Sequence, residues 1–264
     1  MAINDWKQFL TPYEQAVDEL KVKLRSIRKE YRRKNEYSPI EFVTGRVKEV
    51  SSILEKANKY NIPISRVEYE LEDIAGIRIM CQFVDDIYKV IEILRSRKDM
   101  QILYEKDYIS NVKVSGYRSY HIVIRYPVNM AEGEKMILAE FQIRTLAMNF
   151  WATIEHSLNY KYKKNVPPEI QKKLKNAADA AFNLDEEMLT IKDEIMDAQK
   201  LFEIKSDIIT NIMNNILTLI SIGKIAEASR YQMTLNKLIE ESEIWELNNL
   251  LNSIRKDIEK FKEF

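Results

Sequence analysis

The spacing of apolar residues alternates between helical and strand periods along the first two thirds of the chain. Apolar side chains recur every three or four residues after Thr11-Pro12, which predicts a helix that begins there. The β-branched and aromatic run 42–47 predicts a strand, and the pattern over 48–60 predicts a second helix. A nearly continuous apolar run over 74–83 predicts a strand that is buried on both faces, with Arg78 as its one anomaly.

Further strands and helices follow in the same alternating pattern. Strands are predicted over 101–109, 117–126 and 134–144, the last two forming an antiparallel hairpin with a longish loop through Pro127 and Gly133. The period then becomes helical, is broken at 165–168, and resumes in a long acidic helix to about Ile204. These elements predict an α+β fold, a mixed and largely antiparallel five-stranded sheet flanked by helices.

The last sixty residues look helical and resemble nothing upstream. Breaks at 221–223 and 241–243 predict two or three short amphipathic helices. The sequence therefore predicts a main domain over residues 1–204 and a helical extension over residues 205–264.

Charge and composition narrow the class of protein. Lys and Arg balance Asp and Glu at 41 each, yet residues 21–48 hold ten Lys or Arg against three Glu, a net of +7. Such segregation favours a local anionic ligand, although a solvated helix face gives the same pattern. The single cysteine, Cys81, lies in an apolar run, the N-terminus lacks a signal pattern, and no apolar run is long enough to span a membrane. We expect a cytoplasmic protein.

A line of cations follows the first predicted strand. Arg46, Lys48, Ser52, Lys56 and Lys59 recur at helical spacing from the start of the next helix, where backbone amides and the helix dipole favour anions. A polyphosphate could lie along this line. An ordinary exposed lysine face shows the same spacing.

Two acids and a group of polar and aromatic residues add further chemistry. Asp73 and Glu140, on separate strands, are the carboxylate pair that a magnesium ion retaining several waters requires. Four other side chains could stack a nucleobase and bind its polar edge: Tyr117, His121, Gln142 and Asn149. A core tyrosine and a satisfied core histidine are the alternative.

Four ordered blocks carry a resemblance to a known family. They are Glu41–Lys48, Asp73–Arg78, Ser115–His121 and Gln142–His156. With these blocks the chain resembles the small alarmone synthetases, RelQ type, of the RelA/SpoT-homologue family, over about residues 6–202. The family's fold is a mixed sheet flanked by helices, as the pattern predicts.

The resemblance implies transfer of the β,γ-diphosphate of ATP to the 3′-hydroxyl of GDP or GTP, which makes (p)ppGpp and leaves AMP. Asp73 and Glu140 would bind Mg²⁺, and Glu140 would also take the proton of the attacking hydroxyl. The implied ATP-binding residues are Arg46, Lys48, Ser52, Lys56, Lys59 and Arg78. The implied acceptor-binding residues are Lys106, Lys113, Tyr117, His121, Gln142 and Asn149.

The resemblance also implies an assembly and a regulator. A homotetramer would bind the alarmone itself in a central cleft, through Lys21, Arg25, Phe42 and Thr44. Related chains often have arginine where this one has Lys59, beside the adenine, and Lys106, near the phosphates. Lysine lacks the planar guanidinium that stacks and forms forked hydrogen bonds, so ATP binding is expected to be weaker or looser.

Three alternative functions compete with alarmone synthesis. A nucleotidyltransferase of the polymerase-β kind needs two acids spaced two apart on one strand, and the sequence contains no Asp-x-Asp. Alarmone hydrolysis needs a His-Asp metal site, but His121 and His156 precede Ile122 and Ser157. A regulatory protein that binds single-stranded RNA through its basic helices stays open, although it has no use for an acid pair facing a cationic cleft.

Overall fold

The computed structural model describes residues 5–161, 166–239 and 243–262. The chain divides into two compact units, Met1–Leu189 and Thr190–Phe264. Its elements are α1 (Trp6–Arg33), β1 (Phe42–Val47), α2 (Val50–Lys59), a 3₁₀ turn (Ile64–Arg66), α3 (Val67–Glu70), β2 (Ala75–Cys81), α4 (Val84–Arg95), β3 (Gln101–Asp107), β4 (Tyr120–Met130), β5 (Gly133–Thr145), α5 (Leu146–Lys161), α6 (Pro168–Ser221), α7 (Ile225–Leu238) and α8 (Ile244–Lys262).

The first unit is built on one five-stranded sheet in the order β1-β2-β5-β4-β3. Strands β2 and β5 run parallel, and the other neighbouring pairs are antiparallel. The predicted mixed, largely antiparallel sheet flanked by helices is therefore confirmed. Parallel pairing of β2 with β5 requires a long crossover, which α4, β3 and β4 provide.

Alternation along the strands decides which side chains reach the core. Ile137, Ala139, Phe141 and Ile143, at every second position of β5, are fully or almost fully buried. Glu140 and Gln142 therefore extend from the opposite face of the strand. The core beneath the sheet includes Tyr13, Leu20 and Leu24 of α1, and β1 runs beside that helix.

Helix α1 begins at Trp6, so the prediction of a start at Thr11-Pro12 is wrong. Asp5 caps the helix, because its carboxylate accepts hydrogen bonds from the backbone N–H groups of Lys7 and Gln8 at 2.8 and 3.2 Å. The Thr11 hydroxyl instead donates to the Lys7 carbonyl within the helix, at 2.9 Å. Pro12 lies inside the helix, past its first turn, where it has no N–H to donate to the Gln8 carbonyl.

The hairpin of β4 and β5 is tighter than the sequence predicts. Pairing continues to Met130 and Gly133, so the loop has two residues, and Pro127 lies within β4 opposite Met136. Gly133 has φ +121°, which a residue with a side chain rarely adopts. The other end of the strand is also shifted, because β4 starts at Tyr120 and Tyr117 lies in the preceding loop.

The second unit has its own apolar core, formed by the end of α6 with α7 and α8. Its buried residues include Ile212, Leu219, Leu235, Leu247 and Ile254. Helices are separated near Gly223, as predicted, while residues 240–242 and 162–165 of the other predicted breaks lie outside the described residues.

The units divide at 189/190, and not at the predicted 204/205. No break occurs in α6 near residue 204, so the local sequence gives no signal for the division. None of the helices over the described ranges combines the length and apolar character that crossing a membrane requires.

Candidate active site

The polar face of the sheet carries a cavity of about 240 Å³ where β1, β2 and β5 lie side by side. The register brings Thr44 beside Arg78, and Arg78 beside Gln142, so three strands contribute neighbouring polar side chains. The lining consists of Thr44, Gly45, Arg46, Asp73, Gly76, Arg78, Glu140 and Gln142. Four predicted ATP-site or catalytic residues, Arg46, Asp73, Arg78 and Glu140, thus meet in one cavity.

Arg46 and Arg78 bring to this cavity two guanidinium groups without a direct ion-pair partner in the described part of the chain. Over the described residues, neither guanidinium has a hydrogen bond or an ion pair with another side chain. Burial lowers the pKa of Arg78, and the nearby charges of Arg144 and Arg46 lower it further. A guanidinium stays protonated in proteins, so holding two of them partly buried and near each other costs free energy. An anionic ligand that neutralises the pair would lower this cost.

Asp73 faces the line of lysines that the sequence predicted. Its carboxylate pairs with Lys48 from the end of β1 and with Lys56 of α2, the latter at 2.8 Å between Nζ and Oδ1. Burial alone would raise the pKa of Asp73, but hydrogen bonds and charges from both lysines outweigh it, so the pKa lies below its usual value. Asp73 is therefore ionised at neutral pH and tied to two cations.

Glu140 is held by hydrogen bonds on both carboxylate oxygens. His121 Nδ1 lies 2.8 Å from Oε1, and Gln142 Nε2 donates to Oε2 at 2.7 Å. Burial alone would raise the pKa of Glu140, but the interaction with His121, and then the hydrogen bond from Gln142, keep it below its usual value. An ionised carboxylate can only accept, so we assign the Nδ1 proton to His121 as the donor.

The chain of hydrogen bonds continues from His121 to Tyr117 and Arg144. The Tyr117 hydroxyl lies 2.7 Å from His121 Nε2, and Arg144 Nη2 donates to that hydroxyl at 2.5 Å and to Gln142 Oε1 at 2.8 Å. Arg144 also donates from Nε to the buried Ser119 hydroxyl at 3.2 Å. The predicted acceptor residues Tyr117, His121 and Gln142 thus form one network with the predicted base.

Sequence reasoning placed Arg144 and Ser119 on the polar strand faces without giving either a role, and it missed Tyr108. Arg144 is only 5% exposed although it is charged, which is rare unless the group is paired. Tyr108 packs edge-on against His121 and Tyr117, with ring centroids 5.1 and 6.1 Å apart. A signal existed for Arg144, because it shares a strand face with Glu140 and Gln142.

Lys113 and Lys106 lie beside the aromatic part of this network. The Lys113 ammonium lies 4.2 Å from the Tyr108 ring centroid and 4.8 Å from that of Tyr117. Lys106 pairs with His121 across the strands, and its ammonium lies 4.6 Å from the Tyr104 ring centroid. Both cations are therefore placed beside the predicted acceptor site.

Three predicted residues lie at the margins. Ser52 is in the first turn of α2, one turn before Lys56. Lys59 is exposed at the end of α2, 5.1 Å from the ring centroid of Tyr60. Asn149 of α5 has a buried Oδ1 that lacks a hydrogen-bond partner among the described residues, and a buried polar atom left unpaired is costly. It is thus available to accept a bond from a ligand.

The four predicted regulatory residues do not form one cluster within the chain. Thr44 lines the candidate active cavity, and Phe42 shares its face of β1. Lys21 lies against the other face, since a Cβ on Gly45 would be 3.0 Å from its Cδ. Arg25 donates to the Val43 carbonyl at 3.2 Å. A single chain therefore divides this set between the two faces of β1.

The two carboxylates of the cavity fit a magnesium ion. In the described part of the chain, no three His, Cys, Asp or Glu side chains are grouped to cage a metal. Mg²⁺ at phosphate-transfer sites does not need such a cage, because one or two carboxylates, waters and substrate phosphates complete its octahedron. Asp73 and Glu140 line the same cavity, and each is ionised, so the donor chemistry is suitable.

Comparison with known proteins agrees with this geometry. A sequence profile described as a region found in RelA / SpoT proteins matches residues 45–165. The GTP pyrophosphokinase YjbM of Bacillus subtilis is 58% identical over 202 residues, which cover 76% of this chain and 95% of that protein.

Two solved structures of the small alarmone synthetase 1 from Bacillus subtilis are also similar. The one bound to its product pppGpp has a TM-score of 0.70 at 58% identity and covers 72% of this chain and 97% of that chain. The one bound to AMPCPP has a TM-score of 0.65 at 54% identity, covering 73% and 98%. The fold and site thus define a synthetase of the RelA/SpoT class. The chain belongs to this family as a small alarmone synthetase.

Proposed function

We propose that the protein is a GTP pyrophosphokinase that transfers the β,γ-diphosphate of ATP to the 3′-hydroxyl of GDP or GTP. The observation that carries this proposal is the cavity in which unpaired Arg46 and Arg78 face ionised Asp73 and Glu140. A triphosphate would neutralise the two guanidiniums, and the acids are suited to hold a metal ion beside it. The names of the 58% identical relative and of the product-bound structure support the same activity.

The proposed reaction is a direct transfer of the diphosphate from ATP to the acceptor. The acceptor's 3′-oxygen attacks the β-phosphorus of ATP, the bond between that phosphorus and the α,β-bridging oxygen breaks, and AMP leaves. Glu140 takes the proton of the 3′-hydroxyl while the 3′-oxygen bonds to phosphorus. General-base catalysis of this kind typically contributes about 10² to 10⁴ in rate. Its hydrogen bonds from His121 and Gln142 fix the carboxylate before the substrate arrives.

Charge neutralisation supplies much of the remaining stabilisation. The ATP phosphates would be held by Arg46, Lys48, Ser52, Lys56 and Arg78, with Lys59 beside the adenine. Asp73 and Glu140 would hold Mg²⁺, which supplies Lewis-acid polarisation of the phosphoryl oxygens when bound. Lys48 and Lys56 already pair with Asp73. When the substrate binds, the two lysines would pair with the ATP phosphates instead, and Asp73 would bind Mg²⁺.

The acceptor would occupy the aromatic side of the site. Guanine would stack on Tyr117, a contact worth roughly 1 to 3 kcal/mol. Lys106, Lys113, His121, Gln142 and Asn149 surround that position or lie at its margin. The unpaired Asn149 Oδ1 suits a donor of the acceptor nucleotide.

The assembly and its control belong to the same proposal. We expect a cytoplasmic homotetramer in which Lys21 and Arg25 of one subunit and Phe42 and Thr44 of another bind the alarmone, since one chain separates these residues. Single-stranded RNA as a regulator stays a prediction that rests on the basic blocks alone.

Product analysis tests the proposed reaction. The protein is incubated with ATP and Mg²⁺, together with GDP, GTP or GMP in turn, and the nucleotides are separated by anion exchange. We expect AMP to form in equimolar amount with a 3′-pyrophosphorylated guanine nucleotide, and only when the acceptor and Mg²⁺ are present. ADP as the product, or turnover without an acceptor, would contradict diphosphate transfer.

A further inference from the structure

The loop that carries Tyr117 lies directly against α6. Gly116 has φ +88°, and a Cβ placed there would be 2.6 Å from the Ala178 Cβ, so both the conformation and the space require glycine. The Gly116 N–H donates to the Lys113 carbonyl at 2.8 Å, which closes the loop on itself. The backbone before Tyr117 is thus fixed by contact with one segment of α6.

Arg118 connects this loop to the same segment. From Nη1 it donates to the Gly116 carbonyl at 3.3 Å and to the Ala178 carbonyl at 3.4 Å, and Nη2 pairs with Asp179 at 3.1 Å. Its guanidinium also stacks on the Phe182 ring, 4.4 Å from the centroid. One side chain therefore bonds both sides of the junction, which a planar fork permits and an ammonium does not.

The chemistry of Tyr117 depends on this junction. Its ring packs beside the small cluster of Trp151, Ala152 and Ala178, and its hydroxyl reaches His121. Trp151 is itself fixed, because its Nε1 donates to the Leu174 carbonyl of α6 at 2.7 Å. A shift of the loop away from α6 would displace the stacking surface while leaving the ATP cavity on β1 and β2 in place.

We propose that Arg118 is a positioning residue for the acceptor nucleotide, clamped by residues 178–182 of α6 so that the loop presents Tyr117 to the guanine base. This inference rests on the proposed function. It assigns α6, a helix with no residue in the predicted site, a part in acceptor binding. Arg118 does not contact the candidate base or the cation line, so its effect should separate the two substrates.

Kinetics with each substrate varied in turn test the clamp. Arg118→Ala is compared with Arg125→Ala, which removes an exposed arginine from β4, the strand that follows the loop. We expect Arg118→Ala to raise the acceptor KM roughly 10- to 100-fold, because small misplacements of binding groups are costly, with the ATP KM changed less than about 2-fold. Arg125→Ala should leave both constants unchanged.

A second readout follows the loop without turnover. Hydrogen exchange at the Gly116 amide should be faster in Arg118→Ala than in the wild type and in Arg125→Ala, because the loop has lost its anchor. If Arg118→Ala fails to fold, Arg118→Lys and Asp179→Asn replace it. Both remove forked contacts, and both should shift the acceptor KM in the same direction by a smaller factor, Asp179→Asn least because that carboxylate is half exposed.

The outcomes separate this inference from the proposed function. If the enzyme is active but the folded Arg118 variants have the same acceptor KM as Arg125→Ala, the positioning role of Arg118 is overturned and the proposed function stands. Equal increases in both KM values would make Arg118 a general structural residue and also overturn it. A wild-type protein that forms no AMP overturns the proposed function, and acceptor positioning with it.

Discussion

The two compact units bury different kinds of residue. All the buried polar or charged side chains among the described residues, namely Asp86, Ser119, His121, Arg144, Thr145 and Asp185, belong to Met1–Leu189. The described core of Thr190–Phe264 is apolar, apart from the hydroxyl of Tyr231, which donates to Asp257 at 2.6 Å. Both units bury an apolar core, but among the described residues only the first also buries charged side chains away from water.

The difference in buried polar groups indicates which part of the chain is organised for function. Desolvated polar groups cost free energy unless they are paired, so a region that keeps several of them is organised for something other than stability. An apolar helical core has no such cost, and the second unit is therefore expected to affect stability and assembly more than catalysis. The following experiments test that division, in order of expected effect.

The largest effect should come from Glu140→Gln. It removes the base and one proposed metal ligand but keeps the side-chain volume, so synthesis should fall by at least about 10²-fold. Guanine-nucleotide binding, measured by calorimetry, should stay nearly intact because Tyr117 is untouched. Glu134→Gln, an exposed glutamate on the same strand, is the control. Parallel loss of binding and rate would recast Glu140 as structural.

A cavity-creating substitution in the core of the second unit should lower its stability without lowering activity. Leu235 is fully buried in α7, so Leu235→Ala should destabilise the second unit by about 2–5 kcal/mol. Protection of α7 and α8 amides from hydrogen exchange should fall, with kcat unchanged. Met233→Ala, at an exposed position of the same helix, should change neither. A loss of kcat that follows the loss of protection would show that catalysis depends on the second unit.

The buried acid Asp185 should make the stability of the first unit depend on pH. Burial raises its pKa to about 6, against the opposing hydrogen bond from the Thr145 hydroxyl. The native state therefore binds the proton more tightly than the unfolded state, and this residue's contribution becomes less favourable as pH rises from about 4 to 6. Asp185→Asn should remove that loss and stabilise the protein at pH 7.5, by an amount on the order of 2–3 kcal/mol.

Urea unfolding of both proteins at pH 4.5 and pH 7.5 measures this effect. The advantage of Asp185→Asn should shrink at the lower pH, where Asp185 is largely protonated in the native protein. Glu187→Gln, an exposed acid in the same helix, serves as the control. An advantage that is the same at both pH values would exclude titration of Asp185 as its cause.

The smallest of these effects should be the most selective. Tyr117→Ala should raise the acceptor KM by an amount equivalent to roughly 1–3 kcal/mol, one lost stack, and change the ATP KM less. Tyr117→Phe keeps the stacking ring and removes only the hydroxyl that meets His121 and Arg144, so its acceptor KM should rise less. A larger change in the ATP KM would place the two nucleotides in the opposite halves of the site.

Short-range patterns predicted the elements of the sheet well and their ends less well. The run 42–47 is β1 as predicted, because β-branched and aromatic residues favour strands locally. The start of α1 was misplaced because Thr11-Pro12-Tyr13-Glu14 has the composition of a cap, while the earlier Asp5 makes the bonds. The hairpin loop was misplaced because a proline at 127 usually marks a turn, yet here it lies within a strand.

The sequence by itself determined the fold class, the family and the residue types of the site. Strand periodicity and the four motif blocks depend on neighbours within a few positions, and those neighbours are visible in the chain. It also placed Glu140 and Gln142 on one face, because side chains alternate along any strand.

Only the tertiary structure decided which of these residues meet. Parallel pairing of β2 with β5 brings Arg78 beside Gln142, and the packing of α6 brings Asp179 to Arg118 across about sixty positions. It also separated Thr44 from Lys21 across β1 and divided the chain inside an unbroken helix. Contacts between distant segments depend on how whole elements bury their apolar faces together, and local spacing contains no record of that choice.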